Sequence, residues 1–125
     1  MSDSLVIIPT FNEKENIENM VRKVFSLPKP FHILVVDDES PDGTAAIARE
    51  LQKEFSENLY LIERKGKLGL GTAYITGFRY GLERNYDYIF EMDCDFSHDS
   101  EDLIRLYQAC HWGGYDMAIG SWYVT

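Results

Sequence analysis

Five short apolar runs alternate with stretches of helical periodicity along the chain, and this alternation is the feature that most limits its fold. Each run is rich in branched or aromatic side chains and is bounded by polar or turn residues, as buried strands are. The runs are residues 4–8, 32–36, 59–62, 88–92 and 116–120. We therefore predict an α/β fold in which a mostly parallel sheet is flanked by helices.

Four helical segments separate the predicted strands. The first follows Asn12, which can cap a helix that has Glu15 three residues later. The second is predicted to begin near Ser40, and the fourth surrounds Leu106. The third is predicted to run from about residue 70 to residue 84. It carries three small residues that leave room for a close neighbour: Ala73, Gly77 and Gly81.

Ligands of parallel α/β sheets bind beyond the carboxyl ends of the strands, so the residues after each run are the candidate functional residues. Pro9, Phe11 and Glu13 follow the first run. Phe11 could stack on a base or pack inward, and Glu13 could bind a ligand or only favour the helix start by its charge. Asp37 and Asp38 follow the second run. Two adjacent acids are unfavourable when buried unless a cation, a sugar hydroxyl or a base N–H relieves the repulsion; the alternative is one helix cap and one solvated acid.

A basic, glycine-rich segment, residues 63–74, follows the third run. Glycines let the backbone approach a ligand closely, and a helix start follows at once, which suits a diphosphate. The spacing is neither that of a dinucleotide fingerprint nor that of a Walker A loop, and a flexible surface loop is the alternative. Its basic residues and glycines are Arg64, Lys65, Gly66, Lys67, Gly69 and Gly71.

Two acids two residues apart, Asp93 and Asp95, follow the fourth run. In an extended segment their side chains point the same way. Two hard oxygen ligands beside a basic loop suit a divalent metal with a diphosphate. Cys94 between them would face away as a small packing residue, and His98 is expected to form an ordinary hydrogen bond.

The charge balance limits the partners. The chain has 21 acidic and 12 basic residues and a net charge of -9, so we expect no nucleic-acid partner. No apolar run approaches the roughly 20 residues that cross a bilayer, and the first residues lack the pattern of a signal peptide. Two cysteines without metal-ligand spacing indicate reduced thiols, so we expect a cytoplasmic protein.

Together these segments resemble the family 2 glycosyltransferases with the GT-A fold. Within that family they are most similar to dolichol-phosphate and polyprenyl-phosphate mannosyltransferases. The segments that carry the resemblance are VIIPTFNEKENI, LVVDDESPDGT, KLGLGTAY, MDCDFSHD and YDMAIGSWYV, between Val6 and Val124. The resemblance implies a Rossmann-like GT-A domain of which residues 1–125 form the N-terminal, nucleotide-sugar-binding part.

The resemblance also implies a reaction and a site. The donor would be GDP-mannose, the acceptor a polyprenyl or dolichyl phosphate, and the transfer would invert the anomeric centre. Asp93 and Asp95 would be catalytic and would bind Mg²⁺ or Mn²⁺. The residues implied to bind the nucleotide sugar are Pro9, Phe11, Glu13, Asp37, Asp38, Lys67, Gly69, Leu70, Gly71 and Cys94.

The chain departs from the family pattern at two places. Trp122 stands where the family usually has an arginine that would help to hold phosphate. Family members also continue beyond the position of Thr125, with acceptor-side loops and a membrane-facing helix. We therefore expect that the chain binds nucleotide but transfers sugar poorly, and that contact with the cytoplasmic membrane face would be peripheral and made by the missing part.

Three other functions remain open. A family 2 enzyme could use UDP-glucose or another donor, and a non-catalytic fragment could only bind nucleotide sugars. A phosphoacceptor receiver domain is the third. In a receiver the acidic pair follows the first strand, whereas here a complete strand and helix precede Asp37, and the segment KLGLGTAY would have no role.

Overall fold

The structure is a computed structural model that describes residues 3–65, 70–92, 117–119 and 123–124. The predicted fourth helix lies outside these residues. No helix in the described ranges has the length and apolar character needed to cross a membrane. The elements follow one another as β1 (Ser4–Thr10), α1 (Ile17–Phe25), β2 (His32–Asp37), α2 (Thr44–Glu54), β3 (Leu59–Glu63), α3 (Leu70–Glu83), β4 (Tyr88–Glu91), β5 (Met117–Ile119) and β6 (Tyr123–Val124).

One sheet contains these strands in the order β3-β2-β1-β4-β5-β6. All neighbouring pairs from β3 to β5 are parallel, and only β6 pairs antiparallel, with β5. This confirms the predicted α/β fold with a mostly parallel sheet. Because β2 and β3 extend the sheet on one side of β1 while β4 and β5 extend it on the other, the order reverses between β1 and β4. Ligands of open α/β sheets bind at the carboxyl end of such a reversal.

Helices cover both faces of the sheet because successive strand residues point to opposite sides. Helices α1 and α2 pack on one face, and α3 packs on the other. Both faces are apolar, as a parallel sheet between helix layers requires. The first core includes Val6, Ile8, Ile17, Met20, Val21, Ile33, Val35 and Leu51, and the second includes Leu5, Ile7, Leu34, Val36, Ala73 and Ile89.

Helices α1 and α2 begin later than their sequences predicted. Asn12 does not cap α1, because it has a left-handed backbone with φ 57° and the helix begins at Ile17. The amides of Asn16 and Ile17 instead donate to the carbonyl oxygen of Glu13, at 3.0 and 2.9 Å. Helix α2 begins at Thr44 and not near Ser40. The extra loop residues lie after the ends of β1 and β2, at the edge where ligands are expected.

An aromatic cluster occupies the opposite, amino edge of the sheet. His32 Nδ1 lies 2.6 Å from Tyr86 Oη, and the ring of Tyr60 meets that of His32 edge-on. Burial lowers the pKa of His32 and raises that of Tyr86, so both side chains are neutral at pH 7. The cluster lines a recess together with Arg84 and Asp87. The described residues of the cluster lie at the amino ends of the strands, and we assign them a packing role.

Two glycines let α3 approach the sheet closely. A Cβ atom at Gly77 would lie 2.5 Å from Ile7 Cδ1, and one at Gly81 would lie 2.7 Å from Ile89 Cδ1. The predicted need for small residues on this helix is therefore confirmed. Helix α3 begins at Leu70, within the glycine-rich segment. The packing of α3 on the sheet therefore also fixes the position of the start of this helix.

We expect Gly77→Ala to lower the free energy of unfolding by about 1–3 kcal/mol, because overpacking against Ile7 outweighs the better helix propensity of alanine. Gly71→Ala is the matched control, since nothing lies within 4 Å of a Cβ at Gly71. Urea unfolding of the two variants measures the difference. Equal stability of the two variants would show that α3 does not need this close approach.

Candidate functional site

Asp37 is fully buried at the carboxyl edge of the sheet. It ends β2 and pairs in register with Thr10 on β1 and Glu63 on β3. Its Oδ1 accepts hydrogen bonds from Thr10 Oγ1 and Ser40 Oγ, both at 2.6 Å, and its Oδ2 accepts one from the Ser40 amide at 3.0 Å. A buried carboxylate needs such donors. In this geometry Asp37 joins the ends of two strands to the β2–α2 loop.

Asp38 is paired with Arg64, and both side chains are less than one tenth exposed. Arg64 Nε and Nη2 each lie 2.6 Å from Asp38 Oδ1. Arg64 Nη1 donates to Thr72 Oγ1, at 3.0 Å, in the first turn of α3. Hydroxyls and an amide thus compensate the charge of Asp37, and a protein cation compensates that of Asp38. Arg64 therefore connects the β2–α2 loop to the start of α3.

Pro9 and the loop after it lie beside the reversal of strand order. The Met92 amide donates to the carbonyl oxygen of Ile7 at 3.0 Å, just past the end of β4. Alternate residues of a parallel strand bond to the same neighbour, so Pro9 faces the β4 side where pairing has already ended. A proline lacks the N–H that a central strand needs, and here no ladder bond is lost. Among the described residues, the pairing of β1 with β4 therefore ends before Pro9.

Phe11 and Glu13 follow β1 at this edge, and both side chains are half-buried. Asn16 Nδ2 donates to Glu13 Oε2 at 3.1 Å. The structure thus brings Pro9, Phe11 and Glu13 to the same edge as the two aspartates after β2. Their predicted contact with a nucleotide remains a prediction.

The left-handed backbone of Glu39, with φ 52°, marks the turn after the two aspartates. This conformation is unfavourable by about 1–2 kcal/mol for a residue with a side chain. The two bonds from Ser40 to the Asp37 carboxylate close the turn around Glu39 and maintain its conformation. Such strained positions cluster at functional sites, so this one adds to the case for the carboxyl edge.

Leu70 and Gly71 begin α3, and Gly71 is exposed with open space beside it. The remaining predicted site residues lie outside the described residues, and their roles remain predictions. Asp93 directly follows Met92, whose amide is bonded to Ile7 at this edge. Among the described residues, no three His, Cys, Asp or Glu side chains are grouped to hold a metal. The undescribed site residues are Lys67, Gly69, Asp93, Cys94 and Asp95, with His98 and Trp122.

The family model for Glycosyl transferase family 2 matches residues 5–125. The chain belongs to this family. This result confirms the resemblance found in the sequence, and it covers the described carboxyl edge as well as the undescribed segments.

Three curated relatives are polyprenyl-type mannosyl enzymes by name. Polyprenol monophosphomannose synthase of Mycolicibacterium smegmatis is 50% identical, over 97% of this chain and 45% of its own length. Undecaprenyl-phosphate mannosyltransferase of Micrococcus luteus is 44% identical, over 94% of this chain and 47% of its own length. Dolichol-phosphate mannosyltransferase of Pyrococcus furiosus is 39% identical, over 95% of this chain and 33% of its own length. The chain therefore spans about half the length, or less, of these relatives.

Two solved structures share the fold. Mannosyltransferase PcManGT from Pyrobaculum calidifontis, in complex with GDP-Man and Mn²⁺, has a TM-score of 0.59 and 29% identity over 62% of this chain and 24% of that chain. S. aureus TarS 1-349 has a TM-score of 0.70 over 93% of this chain and 34% of that chain; at 22% identity it shows the fold alone. These neighbours confirm the predicted GT-A fold.

Sequence reasoning grouped Arg64 with the diphosphate-binding bases and missed its ion pair. A sequence signal for this ion pair exists at the ends of β2 and β3. Asp37 and Glu63 are partners in the parallel register, so the residues after them, Asp38 and Arg64, are adjacent and opposite in charge. It also missed Asp42 and Thr44 as partners of the β1–α1 loop, because those contacts join residues about 30 apart in the chain.

We expect Arg64→Met to lower the free energy of unfolding by about 3–5 kcal/mol, because it leaves the Asp38 carboxylate buried without its cation. Arg22→Met is the matched control. Arg22 also pairs with acids, but its side chain is 43% exposed, so its loss should change stability by about 1 kcal/mol or less. Urea unfolding at pH 7 measures both variants. Similar losses for both would mean that the Asp38–Arg64 pair is as weak as a surface pair.

Proposed function

We propose that the protein is a glycosyltransferase that takes mannose from GDP-mannose and transfers it to a polyprenyl or dolichyl phosphate. The observation that carries this proposal is the 50% and 44% identity to two enzymes named for polyprenyl-type mannosyl transfer, across nearly all of this chain. The neighbour in complex with GDP-Man and Mn²⁺ supports the same donor.

The nucleoside of the donor would lie over the loops that follow β1 and β2. Phe11 offers a ring for stacking, and Glu13 and Asp38 offer acceptors for base N–H groups and ribose hydroxyls. Asp37 lies below them and supports both loops through its bonds to Thr10 and Ser40. A buried ion pair that fixes the carboxylate of Asp38 provides the preorganisation that specific recognition needs.

The diphosphate would lie at the amino end of α3, next to Lys67 and the backbone from Gly69 to Gly71. The helix dipole favours an anion at this end of the helix. Exposed Gly71 leaves space for a ligand to approach the first turn. Thr72 in that turn is bonded to Arg64, so the nucleoside and diphosphate regions are mechanically connected.

Asp93 and Asp95 would hold Mg²⁺ or Mn²⁺ beside this diphosphate. The fit rests on two features: both are hard oxygen donors, and Asp93 directly follows Met92, whose amide is bonded to β1 at the same edge. The bound metal would offset negative charge that develops on the departing diphosphate. Cys94 lies between these two aspartates in the sequence, and Leu70 lies in the glycine-rich segment after β3.

The acceptor phosphate is itself an anionic nucleophile, so no side chain has to remove a proton from it. One of its oxygens would form a bond to the anomeric carbon as the bond from that carbon to the GDP oxygen breaks. Direct in-line displacement inverts the anomeric centre. The task of the described residues is therefore to bind and orient the donor.

We place this chemistry in a protein of which residues 1–125 supply the nucleotide-sugar-binding part. The relatives are about twice as long or longer, and their remaining residues would supply the acceptor site. The lipid acceptor would bring the whole protein to the cytoplasmic membrane face. We accordingly expect this chain to bind the donor.

Calorimetry with GDP-mannose and UDP-glucose, in Mn²⁺ and then in EDTA, tests the proposal. We expect GDP-mannose to bind at least about tenfold more tightly than UDP-glucose, and EDTA to weaken its binding by about tenfold or more. Asp93→Ala with Asp95→Ala should remove the metal effect, whereas Arg22→Met should retain it. Tighter binding of UDP-glucose would move the chain to another branch of the family. Binding of neither sugar nucleotide would overturn the proposal.

A further inference from the structure

Three consecutive amides of the β1–α1 loop are bound by side chains of the β2–α2 loop and of the first residue of α2. Asn12 N donates to Ser40 Oγ at 2.9 Å, Glu13 N donates to Thr44 Oγ1 at 3.0 Å, and Lys14 N donates to Asp42 Oδ2 at 3.2 Å. The three acceptors occupy alternate positions of the segment SPDGT. We call Ser40, Asp42 and Thr44 the loop clamp.

The proton positions in the loop clamp follow from the number of hydrogens on each hydroxyl. Thr44 Oγ1 donates its only proton to Asp42 Oδ1 at 2.5 Å, so it can only accept from the Glu13 amide. Ser40 Oγ donates to Asp37, so it can only accept from Asn12. Both hydroxyls are therefore oriented by a carboxylate, and both present a lone pair to the neighbouring loop.

Asp42 organises the loop clamp from within. Its Oδ1 also accepts from the Thr44 amide at 3.0 Å, and its Oδ2 accepts from the Lys14 amide. Partial desolvation raises the pKa of Asp42, but the hydrogen bonds from Thr44 and Lys14 outweigh it and hold the pKa below its ordinary value. Gly43, with φ 94°, supplies the left-handed turn that brings Asp42 and Thr44 together.

The conformation of the β1–α1 loop depends on these external partners. Asn12 has a left-handed backbone, and the loop amides at residues 12–14 precede the first turn of α1. Helix α1 itself is held in the core by buried Ile17 and Met20. Loss of a clamp bond should therefore increase the mobility of the loop and leave the packing of α1 in the core unchanged.

We propose that Ser40, Asp42 and Thr44 are positioning residues for the donor nucleoside, because they hold the backbone of residues 12–14, which carries Glu13 and follows Phe11, at the carboxyl edge. This inference rests on the proposed function, in which Phe11 and Glu13 bind the nucleoside. The loop clamp has no contact with the reacting atoms in this account. It acts by keeping the binding loop in one conformation before the donor arrives.

Thr44→Val tests the proposal, since valine keeps the shape of threonine and removes the acceptor for the Glu13 amide. We expect the Kd for GDP-mannose in Mn²⁺ to rise about tenfold, and exchange of the Glu13 amide hydrogen to accelerate at least about tenfold. Thr44→Ser, which keeps the hydroxyl, should restore both values to within about threefold of wild type. Calorimetry and NMR-detected hydrogen exchange give the two readouts.

Thr76→Val is the matched control. The Thr76 hydroxyl bonds to the Thr72 carbonyl oxygen within α3, away from both loops, so its loss should change neither readout. Ser40→Ala is a second test, with expected acceleration at Asn12, should Thr44→Val fail to fold. The amides of β1 and β2 should exchange as in wild type in every folded variant.

The two proposals fail in different ways. If wild-type chain binds no GDP-mannose, the proposed function is wrong, and with it the positioning role. If wild type binds and Thr44→Val binds within twofold of it while the Glu13 amide exchanges faster, the loop clamp exists but does not position the donor. Faster exchange together with a proportionate loss of affinity, and recovery of both in Thr44→Ser, would support the inference.

Discussion

The buried carboxylate of Asp37 is the interaction on which the carboxyl edge depends. It accepts hydrogen bonds from the Thr10 hydroxyl on β1 and from the hydroxyl and the amide of Ser40. The backbone carbonyl oxygen of Asp37 accepts a hydrogen bond from the Arg64 amide at 2.8 Å. The ends of β1, β2 and β3 therefore meet at one residue. A charge without solvent is tolerated only with such donors, so these partners hold the three strand ends in one arrangement.

The rest of the site extends outward from this residue in two directions. The Ser40 hydroxyl, oriented by Asp37, accepts the Asn12 amide and so reaches the β1–α1 loop. On the other side Asp38 binds Arg64, which binds Thr72 at the start of α3. One polar network thus connects the two regions that we assign to the nucleoside and to the diphosphate. It explains how two adjacent acids, Asp37 and Asp38, can both be buried at the end of β2.

Much of this fold could be predicted from the sequence, because strand and helix periodicity are local properties. The bounds of α3 and its close contact through Gly77 followed directly. The late starts of α1 and α2 did not, because the amides at residues 12–14 find their acceptors about 30 residues away in another loop. The antiparallel strand Tyr123–Val124 is too short to show a period. The different partners of Asp37 and Asp38 could not be predicted either, because Thr10 and Arg64 are also distant in the sequence.

The most direct test of the account is a crystal structure of the chain with GDP and Mn²⁺. We expect the nucleoside over Phe11, Glu13 and Asp38, the diphosphate at the start of α3, and Asp37 still bonded to Thr10 and Ser40. The opposite edge of the sheet offers the recess beside His32 and Tyr86. A nucleotide bound there, with the carboxyl edge unchanged and empty of ligand, would contradict the account.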